Sequence, residues 1–129
     1  MDVEIAALCD AATDQQGKLN LLGTFDTLTA PGFPVIHPQC SVAYRIRFTR
    51  SESGMHRIKV HFVDADGRPV IPPLEGAIEA RFADARATFV TNLVLNIHGL
   101  RLEKPGSYSI DLDIDGVQQR SLPLEATAG

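Results

Sequence analysis

The stretch Cys40-Ser-Val-Ala-Tyr-Arg-Ile-Arg-Phe48 alternates apolar and more polar side chains with a period of two. Successive side chains of a β-strand point to opposite faces, so this pattern predicts a strand with one face on a core. The core-facing residues would be Cys40, Val42, Tyr44, Ile46 and Phe48. The outer face would then carry Ser41, Ala43, Arg45, Arg47 and Thr49.

A second alternating stretch follows the polar segment 50–54. Its apolar residues are Ile58, Val60 and Phe62, and the residues between and before them are Arg57, Lys59 and His61. Two alternating stretches joined by a short polar turn that contains glycine are typical of an antiparallel hairpin. We therefore predict that these two strands pair with each other.

Further strands are predicted on both sides of this hairpin. The segments with alternation or β-branched residues are 3–9, 18–30, 88–98, 108–114 and 117–125. Segment 18–30 is either one long strand or a bent pair, with Gly23 as a bulge. Segment 75–82 predicts a strand, with a short helix as the alternative. The three prolines of segment 31–38 predict a crossing loop, because proline cannot donate a ladder hydrogen bond.

Asp115-Gly116 is the clearest turn signal, because a two-residue hairpin turn needs positive φ at both positions. Strict alternation beyond this turn would send Leu122 and Leu124 outward. We predict either a bulge within residues 118–121 or a three-residue loop, which would return both leucines to the core. The segment Asp64-Ala-Asp-Gly67 resembles the start of a calcium loop but lacks its later oxygen ligands, which indicates a simple turn.

Seven to nine strands with frequent turn signals predict an all-β fold. The predicted architecture is a single antiparallel β-sandwich, immunoglobulin-like or related. It occupies residues 1–125 as one domain, and residues 126–129 form a flexible tail. Four apolar residues from different strands should share its interior: Phe48, Val60, Leu95 and Leu112. A chain of 129 residues is long enough to build such a core without disulfides or metal.

The charge balance narrows the classes of partner. Twelve basic residues against sixteen acidic ones give a net charge of −4, which argues against nucleic acid. No apolar run approaches the roughly 20 residues of a membrane-spanning helix. The acidic amino terminus does not resemble a signal peptide. We therefore expect a cytoplasmic protein without nucleic-acid or membrane partners, in which Cys9 and Cys40 are free, buried thiols.

Five short segments carry a resemblance to a known group of proteins. They are Leu8-Cys-Asp-Ala-Ala12, Gly17-Lys-Leu-Asn-Leu-Leu-Gly23 with the following threonine, Asn92-Leu93, Pro105-Gly-Ser-Tyr108 and Asp115-Gly116. Together they resemble a family of small bacterial proteins of unknown function, over nearly the whole chain. The resemblance implies a compact β-sandwich, immunoglobulin-like or related, and it implies no activity, cofactor or catalytic residue.

Motifs for catalysis or metal binding are missing from the sequence. It has no Gly-x-Ser-x-Gly elbow, no glycine-rich phosphate loop and no His-Glu-x-x-His pair. Cys9 or Cys40 could pair with His37 as thiol and base, but both cysteines fall on apolar faces, where burial raises the pKa of a thiol. His37 and Cys40 lie three residues apart, yet a structural zinc site needs four ligands. We predict no catalytic residue, no metal site and no cofactor.

The predicted hairpin concentrates positive charge on its outer face. We call this set the basic face, and its members are Arg45, Arg47, Arg57, Lys59 and His61, with Arg50 at the tip. Arg47 would lie opposite Arg57, and Arg45 opposite Lys59. Like charges that face each other across strands repel, so something should offset them. Asp111 and Asp113 are the internal candidates, and a partner protein or a small anion is the external one.

These features favour a non-enzymatic module that binds a protein partner or a second copy of itself, through an edge strand or an outer sheet face. The alternative is a domain that binds a small anion or other ligand through the arginines and lysine of the basic face, because arginine pairs hold carboxylate and phosphate well. The polar face formed by Asn92, Asn96 and His98 is interpreted as an ordinary solvent-facing surface, with a ligand site as the alternative.

Overall fold

The computed structural model describes all 129 residues, most of which belong to nine strands. The strands are β1 (Asp2–Gln15), β2 (Lys18–Thr24), β3 (Thr27–Ala30), β4 (Val35–Thr49), β5 (Gly54–Val63), β6 (Leu74–Ala80), β7 (Thr88–Leu102), β8 (Gly106–Ile114) and β9 (Val117–Ala128). One 3₁₀ turn, Arg50–Glu52, joins β4 to β5. No helix in the structure has the length and hydropathy needed to cross a bilayer.

The strands form two sheets. The first has the order β2-β1-β4-β7 and is antiparallel throughout, whereas the second has the order β3-β9-β8-β5-β6. In the second sheet β3 pairs with β9 in parallel, and its other ladders are antiparallel. The all-β prediction is confirmed, and the parallel ladder departs from the wholly antiparallel arrangement that the sequence predicted.

One core lies between the two sheets. It contains 23 buried residues from both, and Tyr44, Phe48 and Phe62 are its largest fully buried side chains. Of the residues expected to share an interior, Phe48, Val60 and Leu112 belong to this core, and Leu95 packs against it. Burial of apolar faces from both sheets is the main force that holds the sheets together.

The predicted pairing of β4 with β5 is wrong. Strand β4 lies between β1 and β7 in the first sheet, and β5 lies between β6 and β8 in the second. The 3₁₀ turn between them redirects the chain: the Glu52 carboxylate accepts the Thr49 N–H at 2.8 Å, and Gly54 adopts φ of +119°, which favours glycine. Side-chain alternation shows which face of a strand is buried, but it does not show which strand is the neighbour.

Segment 18–30 is the bent pair of the two predicted alternatives, with β2 in the first sheet and β3 in the second. The bend follows Gly23, whose φ is +68°. A Cβ at Gly23 would lie 2.6 Å from the Asp10 carboxylate, so both the backbone and the close approach favour glycine there.

The predicted crossing loop at 31–38 is shorter than expected, because β4 already begins at Val35. The chain does cross from the second sheet to the first at this point. Pro38 lies in β4 before Ser41, which is the first residue of that strand to pair with β1. At Pro38 the strand therefore has β7 as its one neighbour, so the missing N–H of proline is tolerated.

Two other local predictions are confirmed. Segment 75–82 is mostly strand, since β6 covers Leu74–Ala80. Beyond the two-residue turn Asp115-Gly116, Asp113 pairs with Gln118 but Leu112 pairs with Arg120, which leaves one extra residue in β9. This bulge returns Leu124 to the core and lets Leu122 pack against it.

The end of the chain differs from the predicted flexible tail. Residues up to Ala128 belong to β9, and Leu28 pairs with Ala126, which is 2% exposed. Gly129 donates its N–H to the Ala30 carbonyl at 3.0 Å. The partner strand β3 lies about a hundred residues earlier in the chain, so the local sequence could not reveal this pairing.

Candidate functional site

The first sheet carries Arg45 and Arg47 of the basic face. The Glu4 carboxylate of β1 accepts hydrogen bonds from the Arg45 Nε at 3.1 Å and from the Arg47 Nε at 2.9 Å. Arg47 also donates to the Thr88 hydroxyl at 2.9 Å. The hydrogen bond and positive charge of Arg47, supported by Arg45, hold the pKa of Glu4 below its ordinary value. Glu4 is therefore the internal anion for both arginines, and the sequence reasoning missed it.

The second sheet carries Arg57, Lys59 and His61. The His61 Nε2 lies 3.1 Å from Asp113 Oδ2, and the Lys59 Nζ lies 3.5 Å from Glu75 Oε1. In the ladder between β5 and β8, Lys59 is opposite Asp113. The predicted offset by an acidic stripe of another strand is therefore correct at Asp113.

The basic face as predicted does not form. Its members divide between two sheets, so Arg47 lies opposite Asp2 and Val90, and Arg57 lies opposite Ala77. No cross-strand pair of like charges arises from the five residues, because β4 and β5 have different neighbours. The two groups therefore lie on separate sheets.

Arg45 and Arg47 are joined by two arginines that the sequence analysis did not single out. Arg81 and Arg86, from the loop between β6 and β7, line the same open concavity of about 360 Å³. We call this concavity the arginine cleft. Its remaining lining residues are Ala83, Thr88, Phe89 and Val90. Four of its eight lining residues are arginines, and none is acidic.

Arg50 holds the loop that forms one wall of the arginine cleft. Its guanidinium donates to the carbonyl of Arg86 at 2.8 Å, of Ala83 at 2.7 Å and of Asp84 at 2.9 Å. It also lies 5.6 Å from the centre of the Phe82 ring, within the range of a cation–π contact. Arg50, predicted at the tip of a hairpin, thus holds in place a loop whose bound carbonyls lie 33 to 36 residues further along the chain.

A polar network closes one end of the two sheets. The buried ring of His56 stacks on Phe48, with centroids 4.6 Å apart. Its Nδ1 lies 2.6 Å from Asp115 Oδ2, and its Nε2 lies 2.6 Å from the Glu52 carbonyl. Burial disfavours the charged ring, but the hydrogen bonds to Glu52 and Asp115 and the negative charge of Asp115 raise the pKa of His56 above its ordinary value.

The two cysteines are free and fully buried. Burial, with a smaller contribution from Cys9, raises the pKa of the Cys40 thiol to about 11, and burial likewise raises the pKa of Cys9. His37, considered as a base for these thiols, packs against Phe25 with centroids 5.8 Å apart. Its buried Nε2 has no hydrogen-bond partner. The chain brings no three His, Cys, Asp or Glu side chains together in a metal-binding group.

The face of β7 that carries Asn92, Asn96 and His98 is partly covered. Asn92 donates its side-chain amide to the Gly17 carbonyl at 3.1 Å, and Asn96 accepts the Ser41 hydroxyl at 2.7 Å. The tip of the β1–β2 hairpin therefore curls across the outer face of the first sheet and reaches β7. The interpretation of this face as solvent-facing holds for Asn96 and His98, which are exposed, and not for Asn92, which is half-buried.

The edge of β7 is open. This strand pairs with β4 over fourteen residue pairs and has no neighbour on its other side. Of the 69 backbone hydrogen bonds, 60 lie within strands, and none of the nine others involves a residue of β7. The outward N–H and C=O groups of a 15-residue strand are thus available to a partner.

Residues 4–127 match the protein-family model described as "Family of unknown function (DUF6941)". The chain belongs to this family. The match confirms the resemblance to a family of unknown function that the sequence segments indicated, and it includes residues of all nine strands. A search of curated proteins found no match for this DUF6941 member.

Proposed function

We propose that this member of the DUF6941 family is a non-enzymatic interaction module that associates with a second copy of itself through the open edge of β7. The observation that carries the proposal is the length of that edge combined with its lack of protection. An exposed edge presents a row of unpaired backbone groups, which natural sheets normally shield with charges, prolines or short strands. Strand β7 has 15 residues and uses none of these devices over residues 88–97.

The other sheet edges are protected in these ways. Strand β3 has four residues and β2 has seven, beginning with Lys18. Strand β6 also has seven residues, follows two prolines, and carries Glu75 and Glu79. The contrast supports β7 as the edge that has a binding role.

A second copy of the chain is the occupant that the sequence of β7 favours. Residues 88–97 carry no charged side chain, so two copies paired antiparallel would bring no like charges together. The threonines, valines, Phe89 and Ile97 of this segment favour cross-strand contacts in a sheet. Such a pair would join two four-stranded sheets into one, with the same patch contributed by each copy.

The assignment as non-enzymatic rests on the chemistry of the candidate nucleophiles. A thiolate is the reactive form of cysteine, and burial of Cys9 and Cys40 suppresses it. We further propose the finer features expected from the sequence: two sheets packed as an immunoglobulin-like or related sandwich, and a cytoplasmic location in bacteria. The shared core and the two free thiols support these proposals.

Light scattering coupled to size-exclusion chromatography tests self-association. We expect a dimer for the wild-type chain and a monomer for Val94→Lys, because Val94 lies near the middle of the uncharged segment and two lysines there would repel. Val94→Thr is the matched control: it keeps the branched shape without a charge and should remain dimeric. Circular dichroism should show that all three chains fold.

A hydrogen-exchange experiment locates the interface independently of any variant. Amides of β7 should become more protected as the concentration of the chain rises, whereas those of β2 and β6 should not change. A strict monomer at every concentration, or a dimer that Val94→Lys leaves intact, would overturn the proposal. If the chain is a monomer that binds another protein through β7, self-association would be overturned, but the edge of β7 would still be the binding site.

A further inference from the structure

We propose that the arginine cleft is a binding site for a small organic anion that carries phosphate or carboxylate groups. The inference does not depend on self-association, because the cleft would bind its ligand through arginine side chains, whereas self-association would use the backbone edge of β7. The two surfaces share Thr88, Phe89 and Val90. The arginine cleft differs from the predicted basic face in two of its cationic residues. Arg45 and Arg47 belong to both sets, whereas Arg81 and Arg86 of the cleft take the place of Arg57 and Lys59.

The arginines of the cleft differ in how many donors they have left. Arg47 uses all three of its side-chain nitrogens, since it donates to both oxygens of Glu4 and to the Thr88 hydroxyl. Arg45 uses its Nε for Glu4, so its two terminal nitrogens face no protein acceptor. A guanidinium carries five N–H donors, and those without a protein partner are available to a ligand.

The two loop arginines add further free donors. Arg81 pairs through its Nε with Glu79 at 2.8 Å, which again leaves its terminal nitrogens without a partner. The backbone carbonyl of Arg86 is bound by Arg50, but its guanidinium takes part in no ion pair or hydrogen bond of the chain. The carboxylates of Glu4 and Glu79 thus accept hydrogen bonds from three of the four arginines, which keep some of their N–H donors free. Arg86 has no carboxylate partner.

Three features of the cleft suit an anionic ligand of small size. The bidentate contact between Arg47 and Glu4 holds the Arg47 side chain in place at one wall of the cleft. Phe89 and Val90 supply an apolar surface for the carbon atoms of an organic anion. A volume of about 360 Å³ lies at the lower end of the range for ligand pockets, so a small molecule fits better than a polymer.

Arg50 makes the site largely preformed. Its three hydrogen bonds to carbonyl groups fix the loop that carries Arg86, so a ligand would not have to order that loop. The concavity beside Arg57 and Lys59 is different, because the acidic residues Glu75 and Asp113 also line it.

Titration with inorganic phosphate and with malonate tests the proposal, with sodium chloride adjusted to keep ionic strength constant. The readout is the arginine Nε–H signals in NMR spectra of the full chain. We expect saturable shifts of the Arg86 and Arg45 signals. The double variant Arg45→Gln with Arg86→Gln should weaken binding by about tenfold or more, since it removes charge-assisted hydrogen bonds.

The matched control is Arg57→Gln with Arg68→Gln, which removes the same charge from the second sheet and a turn. It should bind as the wild-type chain does, and so should Val94→Lys, whose cleft is intact. The stronger of the two probes identifies the phosphate or carboxylate class. Shifts that do not saturate, or an equal loss in the control variant, would overturn the proposal by showing that only overall charge attracts the anion.

Discussion

The His56 Nδ1 lies 2.6 Å from Asp115 Oδ2, and its other ring nitrogen faces the Glu52 carbonyl at the same distance. Both nitrogens therefore face acceptors. A neutral imidazole has one donor, so it could satisfy one of these contacts, whereas the protonated ring satisfies both. Because Glu52 precedes β5 and Asp115 belongs to the turn between β8 and β9, the protonated ring connects two parts of the fold.

Stability should fall as the pH rises above the ordinary pKa of histidine. The folded-state pKa of His56 is raised, so its contribution is fully present below about pH 6.5 and is lost as the pH rises through the folded-state value. We expect the free energy of unfolding in urea to decrease across this window for the wild-type chain. His56→Gln should lack this decrease, and His61→Gln should retain it.

The same network makes the pKa of His56 depend on Asp115. Asp115→Asn removes the negative charge, and asparagine tolerates the positive φ of 54° at this position. The pKa of His56, followed by NMR of the ring protons, should move down towards its ordinary value in this variant. An unchanged pKa would show that Asp115 does not stabilise the charged ring.

Removal of residues 126–129 should destabilise the chain, although a flexible tail would be dispensable. The truncation deletes the β9 partners of Leu28, Thr29 and Ala30 and the buried side chain of Ala126. At about 0.5–1.5 kcal/mol for each ladder hydrogen bond, we expect a loss of about 2 kcal/mol in the free energy of unfolding. Removal of Gly129 alone is the control and should cost much less. Equal stability of all three chains would contradict the parallel ladder.

Arg50→Lys should loosen the loop between β6 and β7 without unfolding the protein. Lysine keeps the positive charge but cannot donate to three carbonyl groups in the planar geometry of arginine. The Arg86 amide, which donates to Ala83 at 2.9 Å, should exchange with solvent faster in this variant. The free energy of unfolding should change by about 1 kcal/mol or less, because the contacts are exposed. Unchanged exchange would show that Arg50 does not hold the loop.

The strands and their buried faces could be predicted from the sequence because alternation is a local signal. Tyr44 and Arg45 show this, since one is buried and the other lies on the outer face as expected. Ser41 and Ala43 depart from the prediction, because they are fully buried although they lie on the face that was expected to be outer. The bulge beyond Asp115-Gly116 could also be predicted, because Leu122 and Leu124 would otherwise leave the core. Each of these inferences uses residues that are near one another in the chain.

The neighbours of each strand could not be predicted in the same way. Alternation in β4 fits β5 as well as it fits β1 and β7, so the sequence did not reveal that Glu4 lies beside Arg47. Arg86 reaches the same cleft from a loop about 40 residues further along the chain. The candidate site was therefore half predicted: two of its arginines were identified, and their partners depend on the order of strands in the sheet.

The thiol of Cys40 should react slowly in the folded chain. Burial raises its pKa to about 11, so at pH 7.5 the thiolate fraction is smaller than in the unfolded chain by on the order of a hundredfold. In Cys9→Ala, which leaves Cys40 as the one thiol, the reaction with Ellman's reagent should be slower than in the same variant unfolded in guanidinium by at least this factor. The difference should disappear as denaturant unfolds the chain, because it comes from burial and not from the reagent. Rapid, complete reaction of the native chain would show that Cys40 is accessible and would reopen the question of a reactive cysteine.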